Sequence, residues 1–321
     1  MLIFLCLEDI TLRIVFMGSP DIAVPALEQL ITNRFNVVAV YTQPDKPAGR
    51  GRSLLASAVK EAAIKQGLEV VQPESLKPPE VLEKLASYKP DIIVVCAYGQ
   101  ILTRSVIELP PKQCLNVHYS LLPRHRGASP VMAAILAGDE YTGVSVQVVR
   151  MKLDTGPLLA SAAIPISPKD TTGTLARKLS IVGAHLLQET LTGWMRGEIT
   201  PREQEESQAT YFGQVKKEAG EIDWTKPALE IWRRVRAFQP WPGCYSSWKG
   251  KQLKINDVVP VNVEITGKPG TVVSLDNTNI GIVTGDGILK ILGLQYEGKR
   301  SMHTHAFVQG QRDFTGSELP S

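Results

Sequence analysis

The chain is poor in cysteine and lacks the glycine signatures of nucleotide binding. Cys6, Cys96, Cys114 and Cys244 are its only cysteines, with no C-x-x-C spacing and no histidine partner pattern. That spacing argues against a structural zinc site or a disulfide framework, and fits buried free thiols in a reducing cytoplasm. The turn after the first apolar run holds Gly18, but neither G-x-G-x-x-G nor G-x-x-x-x-G-K-[ST] occurs there. A bound dinucleotide or nucleoside triphosphate is therefore disfavoured. No apolar run is long enough to span a membrane. Met1 to Leu7 is apolar, yet no basic segment precedes it, Glu8 and Asp9 follow at once, and no small-residue cleavage site appears. Residues 1–11 thus resemble neither a signal peptide nor an anchor, and are expected to be an extension. Charge of either sign is in little excess: the net is +3, from 35 Lys and Arg against 32 Asp and Glu. From Lys216 onward there are 14 basic and 11 acidic residues, so the last third carries the whole excess. Repeats and low-complexity tracts are absent.

What is present suits a folded, two-domain protein: 321 residues with 43% hydrophobic content. Apolar runs of strand length at Leu12–Met17, Asn36–Thr42, Asp91–Ala97 and Cys114–His118 alternate with helical patterns at Ala56–Gln66 and Pro79–Ser87. Glu69–Val71, Val144–Val149 and Leu158–Ile166 complete the strands, and Thr172–Arg196 is a long amphipathic helix. The pattern predicts an α/β fold with a Rossmann-like, mostly parallel sheet and helices on both faces. A polar run from Glu203 to Ala209 suggests a linker. Beyond it, Gln252–Ile255, Gly270–Ser274, Ile280–Val283 and Gly287–Leu292 are short strands separated by Gly and Asp/Asn turns, which suggests a small barrel. The expected division is 1–202, a linker over 203–215, and 216–321.

The candidate chemistry lies in Cys114–Gly127, C-L-N-V-H-Y-S-L-L-P-R-H-R-G, and in L-D-T-G at Leu153–Gly156. Asn116 and His118 stand two apart on a strand and so face the same side. They lie at the strand's carboxyl end, where open parallel sheets bind ligands. Asp154 sits in a turn with Gly156 two residues on. An amide donor, an imidazole and a carboxylate suit acyl transfer without a covalent intermediate.

The loop Ser120–Gly127 closely resembles the S-L-L-P-x-x-x-G loop of enzymes that use 10-formyltetrahydrofolate as formyl donor, and L-D-T-G matches their second motif. Val15–Pro20, Thr42–Arg52, Tyr98–Leu102, Ile222–Trp224 and Arg236–Gly243 extend the likeness over both domains. The chain is identified as a member of the methionyl-tRNA formyltransferase family. The resemblance implies an enzyme of translation initiation that transfers a formyl group from 10-formyltetrahydrofolate to the amine of initiator methionyl-tRNA, without metal or ATP. Catalysis falls to Asn116, His118 and Asp154. Asn116 faces the oxyanion, and His118 or Asp154 takes the proton. Folate binding falls to Tyr98, Gly99, Gln100, Ile101, Leu102, Ser120, Leu121, Leu122 and Pro123.

The basic loop Gln43–Arg52, with Lys46, Arg50 and Arg52, suits phosphates or an unpaired acceptor end, and the family uses it at the tRNA acceptor stem. Arg233, Arg234 and Arg236 lie on a helix of the second domain, an oligonucleotide-binding-like barrel in the family. Trp232, Trp241 and Trp248 are expected in the barrel core. The expected partners are initiator methionyl-tRNA and the folate, with the enzyme a cytoplasmic monomer. Arg124 or Arg126 serves either to meet an anion or to tether the loop.

Two positions depart from the family pattern, Lys152 for a common Gly and His125 for a common aromatic. P-R-H-R-G-A-S resembles the formyltetrahydrofolate hydrolases, so water, or a sugar amine, is the alternative acceptor. His125 itself is expected to face solvent.

Overall fold

The computed structural model describes residues 12–48, 53–263, 267–276 and 278–320. Cys6, Arg50, Arg52 and the 1–11 segment lie outside these. The chain divides into two compact units. The first runs to Pro130 and adds Thr142–Ile164 and Ala176–Tyr211; the second takes Val131–Tyr141, Pro165–Leu175 and Phe212 onward.

The first unit is built on a seven-stranded sheet. Its strands are β1 (Arg13–Gly18), β2 (Asn36–Tyr41), β3 (Val70–Val71), β4 (Ile92–Cys96), β5 (Cys114–His118), β6 (Tyr141–Val148) and β7 (Leu158–Pro165). Their order is β7-β6-β5-β4-β1-β2-β3. The pairs β1–β2, β1–β4, β2–β3 and β4–β5 are parallel, while β6 runs antiparallel to β5. The order reverses between β1 and β4, which opens a crevice at their carboxyl ends. The sequence explains the central placement of β4. Its I-I-V-V-C run is buried at every position, as a strand covered on both faces must be. By contrast, β7 has one buried residue and then alternates exposed with half-buried positions, as an edge strand does. The helix Pro79–Ser87 falls where its periodicity predicts. The hairpin Lys46–Ala48 with Ser53–Leu55 projects Leu54 and Leu55, which are 70% and 61% exposed.

The second unit carries an antiparallel sheet of β8 (Cys244–Trp248), β9 (Lys251–Val261), β10 (Val272–Ser274), β11 (Ile280–Val283), β12 (Ile288–Tyr296) and β13 (Met302–His303). The order is β8-β9-β12-β11-β10, with β13 also on β12. It is a curled half-barrel. β9 runs well past the expected Gln252–Ile255, because register shifts around Asp257 let it bend and keep pairing with β12. Trp248 is buried against Tyr296, Phe307 and Phe314, with ring centroids 5.0–5.8 Å away. Trp241 departs from expectation. It is 52% exposed, between prolines of the segment that follows the helix Ala228–Ala237.

Candidate active site

Asn116 and His118 do project from one face, and the pairing of β5 with β6 shows what shares it. Asn116 lies opposite Gln147, and His118 opposite Ser145. Residues directly across two strands point to the same side. Four polar groups are thereby gathered in the V-S-V-Q-V stretch and its neighbour, with Gln147 and Ser145 almost wholly buried. Ser145 and Gln147 are functional candidates that only the strand pairing adds. Their signal was a polar residue at every second place in a strand with no exposed face.

Asp154 completes the group. Its carboxylate accepts from the Gly127 N–H (2.8 Å), Gln147 Nε2 (3.1 Å) and Asn116 Nδ2 (3.5 Å), and stands 3.7 Å from His118 Nδ1. The His118 and Asp154 side chains are only 7% and 8% exposed. His118 Nε2 lies 3.0 Å from the His125 carbonyl. A carbonyl only accepts, so that nitrogen carries a hydrogen. Nδ1 can then donate to Asp154 only as imidazolium. Asp154 adopts φ +52, His125 φ +56, and Ala97, just past β4, φ +49. Such left-handed non-glycine residues cost about 1–3 kcal/mol each and gather where geometry serves chemistry.

His125 is not solvent-facing: it is 7% exposed. Its N–H donates to Thr210 Oγ1 while its carbonyl takes His118, so the loop is held on both sides. Arg126 tethers rather than awaits an anion. It is fully buried, with Glu206 and Tyr211 as partners. Burial works against its charge, and those two partners outweigh it, raising its pKa. The polar run 203–209, expected as a linker, supplies several of these contacts. Glu206 also binds Lys152, and Glu203 binds Arg150. Composition alone could not distinguish a solvated connection from a strap whose polar groups are already paired.

The folate candidates fall into two sets. Tyr98, Ser120 and Leu122 are buried. Tyr98 packs in the core with Val15, Met17 and Val95, offering only its carbonyl, which accepts from Ser19 Oγ and Gln43 Nε2. Leu102 packs against the same core. Ser120 fastens its own loop: Oγ donates to the Arg124 carbonyl and its carbonyl accepts from Ser145 Oγ, which also receives the Leu122 N–H. Leu121 and Pro123 are half-buried in that turn. Gly99 and Ile101 are exposed, Ile101 by 92%, and Gln100 donates to the Pro73 carbonyl.

The basic candidates also divide. Lys46 is exposed, with Nζ 2.5 Å from Gln43 Oε1. Arg234 donates to the Ala219 carbonyl and stacks on Phe238. Arg236 donates to the Asp170 and Ser167 carbonyls and lies 4.2 Å above the Trp232 ring. Both guanidinium groups therefore brace the second unit. Arg233 is half-buried near Gly138.

Residues 12–191 match the formyl transferase family, and residues 214–312 its C-terminal domain. The methionyl-tRNA formyltransferase of Dehalococcoides mccartyi is 47% identical over 96% of this chain and 98% of its own length. That of Roseiflexus castenholzii is 45% identical over the same shares. Among solved structures, an N-formyltransferase from Helicobacter canadensis, in complex with folinic acid and dTDP-3-aminofucose, superimposes with a TM-score of 0.65 at 20% identity, covering 87% of this chain and 98% of that one. HypX from Aquifex aeolicus, in complex with tetrahydrofolic acid, gives 0.59 at 20% identity, over 93% of this chain and 47% of that one. The last two likenesses are of fold. The two domain matches and the near full-length identity place this chain in the methionyl-tRNA formyltransferase family.

Proposed function

We propose that this enzyme transfers the formyl group of 10-formyltetrahydrofolate to the free amine of methionyl initiator tRNA. The observation that carries the reading is the buried Asp154 carboxylate, held by three donors beside Asn116 and His118 at the carboxyl edge of the sheet. Asn116 keeps an amide hydrogen for the oxygen of the formyl carbon under attack. One such donor is worth about 10²–10³ in rate. His118 and Asp154 act as a pair that takes up the proton of the attacking amine, the carboxylate stabilising the imidazolium. The formyl donor arrives activated. Exposed Ile101, beside Gly99 and Gln100, offers an apolar face to a flat heterocycle, while Ser120 and Leu122 shape the facing loop from within. The catalytic domain is 12–202. The domain from 216 and the basic sequence Gln43–Arg52, with Lys46, Arg50 and Arg52, meet the tRNA. From membership of the family alone we assign monomeric, cytoplasmic action to the enzyme.

The test is formyl transfer from 10-formyltetrahydrofolate to Met-tRNA, with water alone in parallel. Formylated Met-tRNA should appear faster than folate is hydrolysed, and His118→Ala should lose at least about 10²-fold in kcat while folding normally. Hydrolysis unaffected by added Met-tRNA would move the reading to a hydrolase.

A further inference from the structure

Gln204 is 50 residues from Asp154 in sequence, yet its amide lies against that turn. Gln204 Oε1 accepts from Arg126 Nε (3.1 Å) and Nη2 (2.9 Å). Gln204 Nε2 faces three acceptors: the Gly156 carbonyl (2.7 Å), the Asp154 carbonyl (2.9 Å) and Gln147 Oε1 (3.1 Å). An amide can in principle be turned either way. Here a guanidinium, which only donates, stands on one side, and main-chain carbonyls, which only accept, stand on the other. The direction of the Gln204 amide is therefore fixed. It bears on the next one in turn: with two hydrogens for three acceptors, Nε2 holds the main-chain carbonyls and faces Gln147 as a shared contact, which disfavours a turned Gln147 amide and leaves its Nε2 toward Asp154 Oδ1, 3.1 Å away.

We propose that Gln204 is a positioning residue which, through Gln147, keeps an N–H rather than an oxygen aimed at the Asp154 carboxylate. The assignment rests on the reading of Asp154 as part of the proton-accepting pair. Arg126, fully buried, sets the polarity from behind. The carboxylate itself faces Asn116 and His118 from β5, Gln147 from β6 and the Gly127 N–H. The other charges nearby pair among themselves: Arg126 and Lys152 with Glu206, and Arg150 with Glu203. The main chain of His125 holds His118 and Thr210.

Gln204→Glu separates polarity from packing. It preserves volume and the acceptor toward Arg126, but sets a carboxylate oxygen against the Gly156 and Asp154 carbonyls, so its thermal melt is recorded first. It also sets an oxygen against Gln147, whose amide then turns its own oxygen onto Asp154. The ionised carboxylate loses a donor, so protonation is favoured and activity is lost earlier as pH falls. The acid limb of the kcat profile should move to higher pH by about one unit, the size expected for one charge-assisted hydrogen bond. The KM for 10-formyltetrahydrofolate should change less than about twofold.

Gln147→Leu should give a similar displacement, and Gln147→Leu/Gln204→Glu less than the sum of the two, since only the charge of the new carboxylate then reaches Asp154. An unmoved acid limb in folded Gln204→Glu would overturn the proposal, as would a uniform loss at all pH values. Should Gln204→Glu not fold, an unmoved limb in Gln147→Leu overturns it equally. Asp154→Asn, run alongside, should lose turnover across the whole range. Turnover retained in Asp154→Asn would sink the reading of Asp154 itself, a failure distinct from that of Gln204.

Discussion

Gly156→Ala tests how the Asp154 turn is seated. A Cβ on Gly156 would stand 1.6 Å from the Val148 carbonyl oxygen and 2.8 Å from its carbon. Both are main-chain atoms of β6, so no side chain can swing aside. Real Cβ contacts stop near 3.0 Å, so the turn must retreat by about 1.4 Å, the difference between that limit and the 1.6 Å approach. The retreat strains the Val148 N–H to Pro157 carbonyl bond (3.0 Å) and the Gln204 Nε2 to Gly156 carbonyl bond (2.7 Å). Overpacking costs about 1–3 kcal/mol and a weakened hydrogen bond about 1 kcal/mol, so about 3 kcal/mol in all is expected. For a unit of this size that lowers Tm by about 6–12 °C. A displacement of about 1 Å in a catalytic group can cost 10²-fold, so kcat should fall by about that factor. Scanning calorimetry and the formyl-transfer assay read the two effects. Gly213→Ala, with nothing within 4 Å of its Cβ, is the control and should leave Tm unchanged or slightly raised. A Gly156→Ala protein within 1–2 °C of wild type, roughly the scatter of a neutral substitution, would refute the close approach of turn and strand.

The same geometry sets expectations elsewhere. Arg236→Ala should destabilise the protein by about 3 kcal/mol, since two carbonyls lose a charged donor and Trp232 its cation. A normal Tm with a tenfold higher tRNA KM, about 1.4 kcal/mol of lost binding, would return that residue to the tRNA contacts. Burial pushes the Cys96, Cys114 and Cys244 thiols up to about 12. Below the unfolded thiol pKa of about 8.5 both states keep these protons, so they add no pH dependence. Above it the unfolded chain releases protons that the fold retains, and stability falls as pH rises toward 12. Urea melts at pH 8 and pH 10.5 should show that loss. Native protein at pH 8 should resist thiol reagents, and rapid labelling of those three would contradict their burial.

The sequence by itself determined the alternation of apolar strands and amphipathic helices, and hence a mostly parallel sheet. Burial on both faces leaves a period-free run such as I-I-V-V-C that local reading detects. It also determined that Asn116 and His118 share a face, because strand geometry has a period of two. It could not tell that Gln147 and Ser145 lie on that same face, since register between strands is a long-range property. Nor could it separate the strap at 203–209 from a linker, or Arg234 and Arg236 from surface cations. Polar residues look alike in composition whether water or protein pairs them. Only the tertiary structure brings Arg126, Gln204 and Gln147 into line with Asp154. Buried polar groups must find partners, and those partners lie far away along the chain.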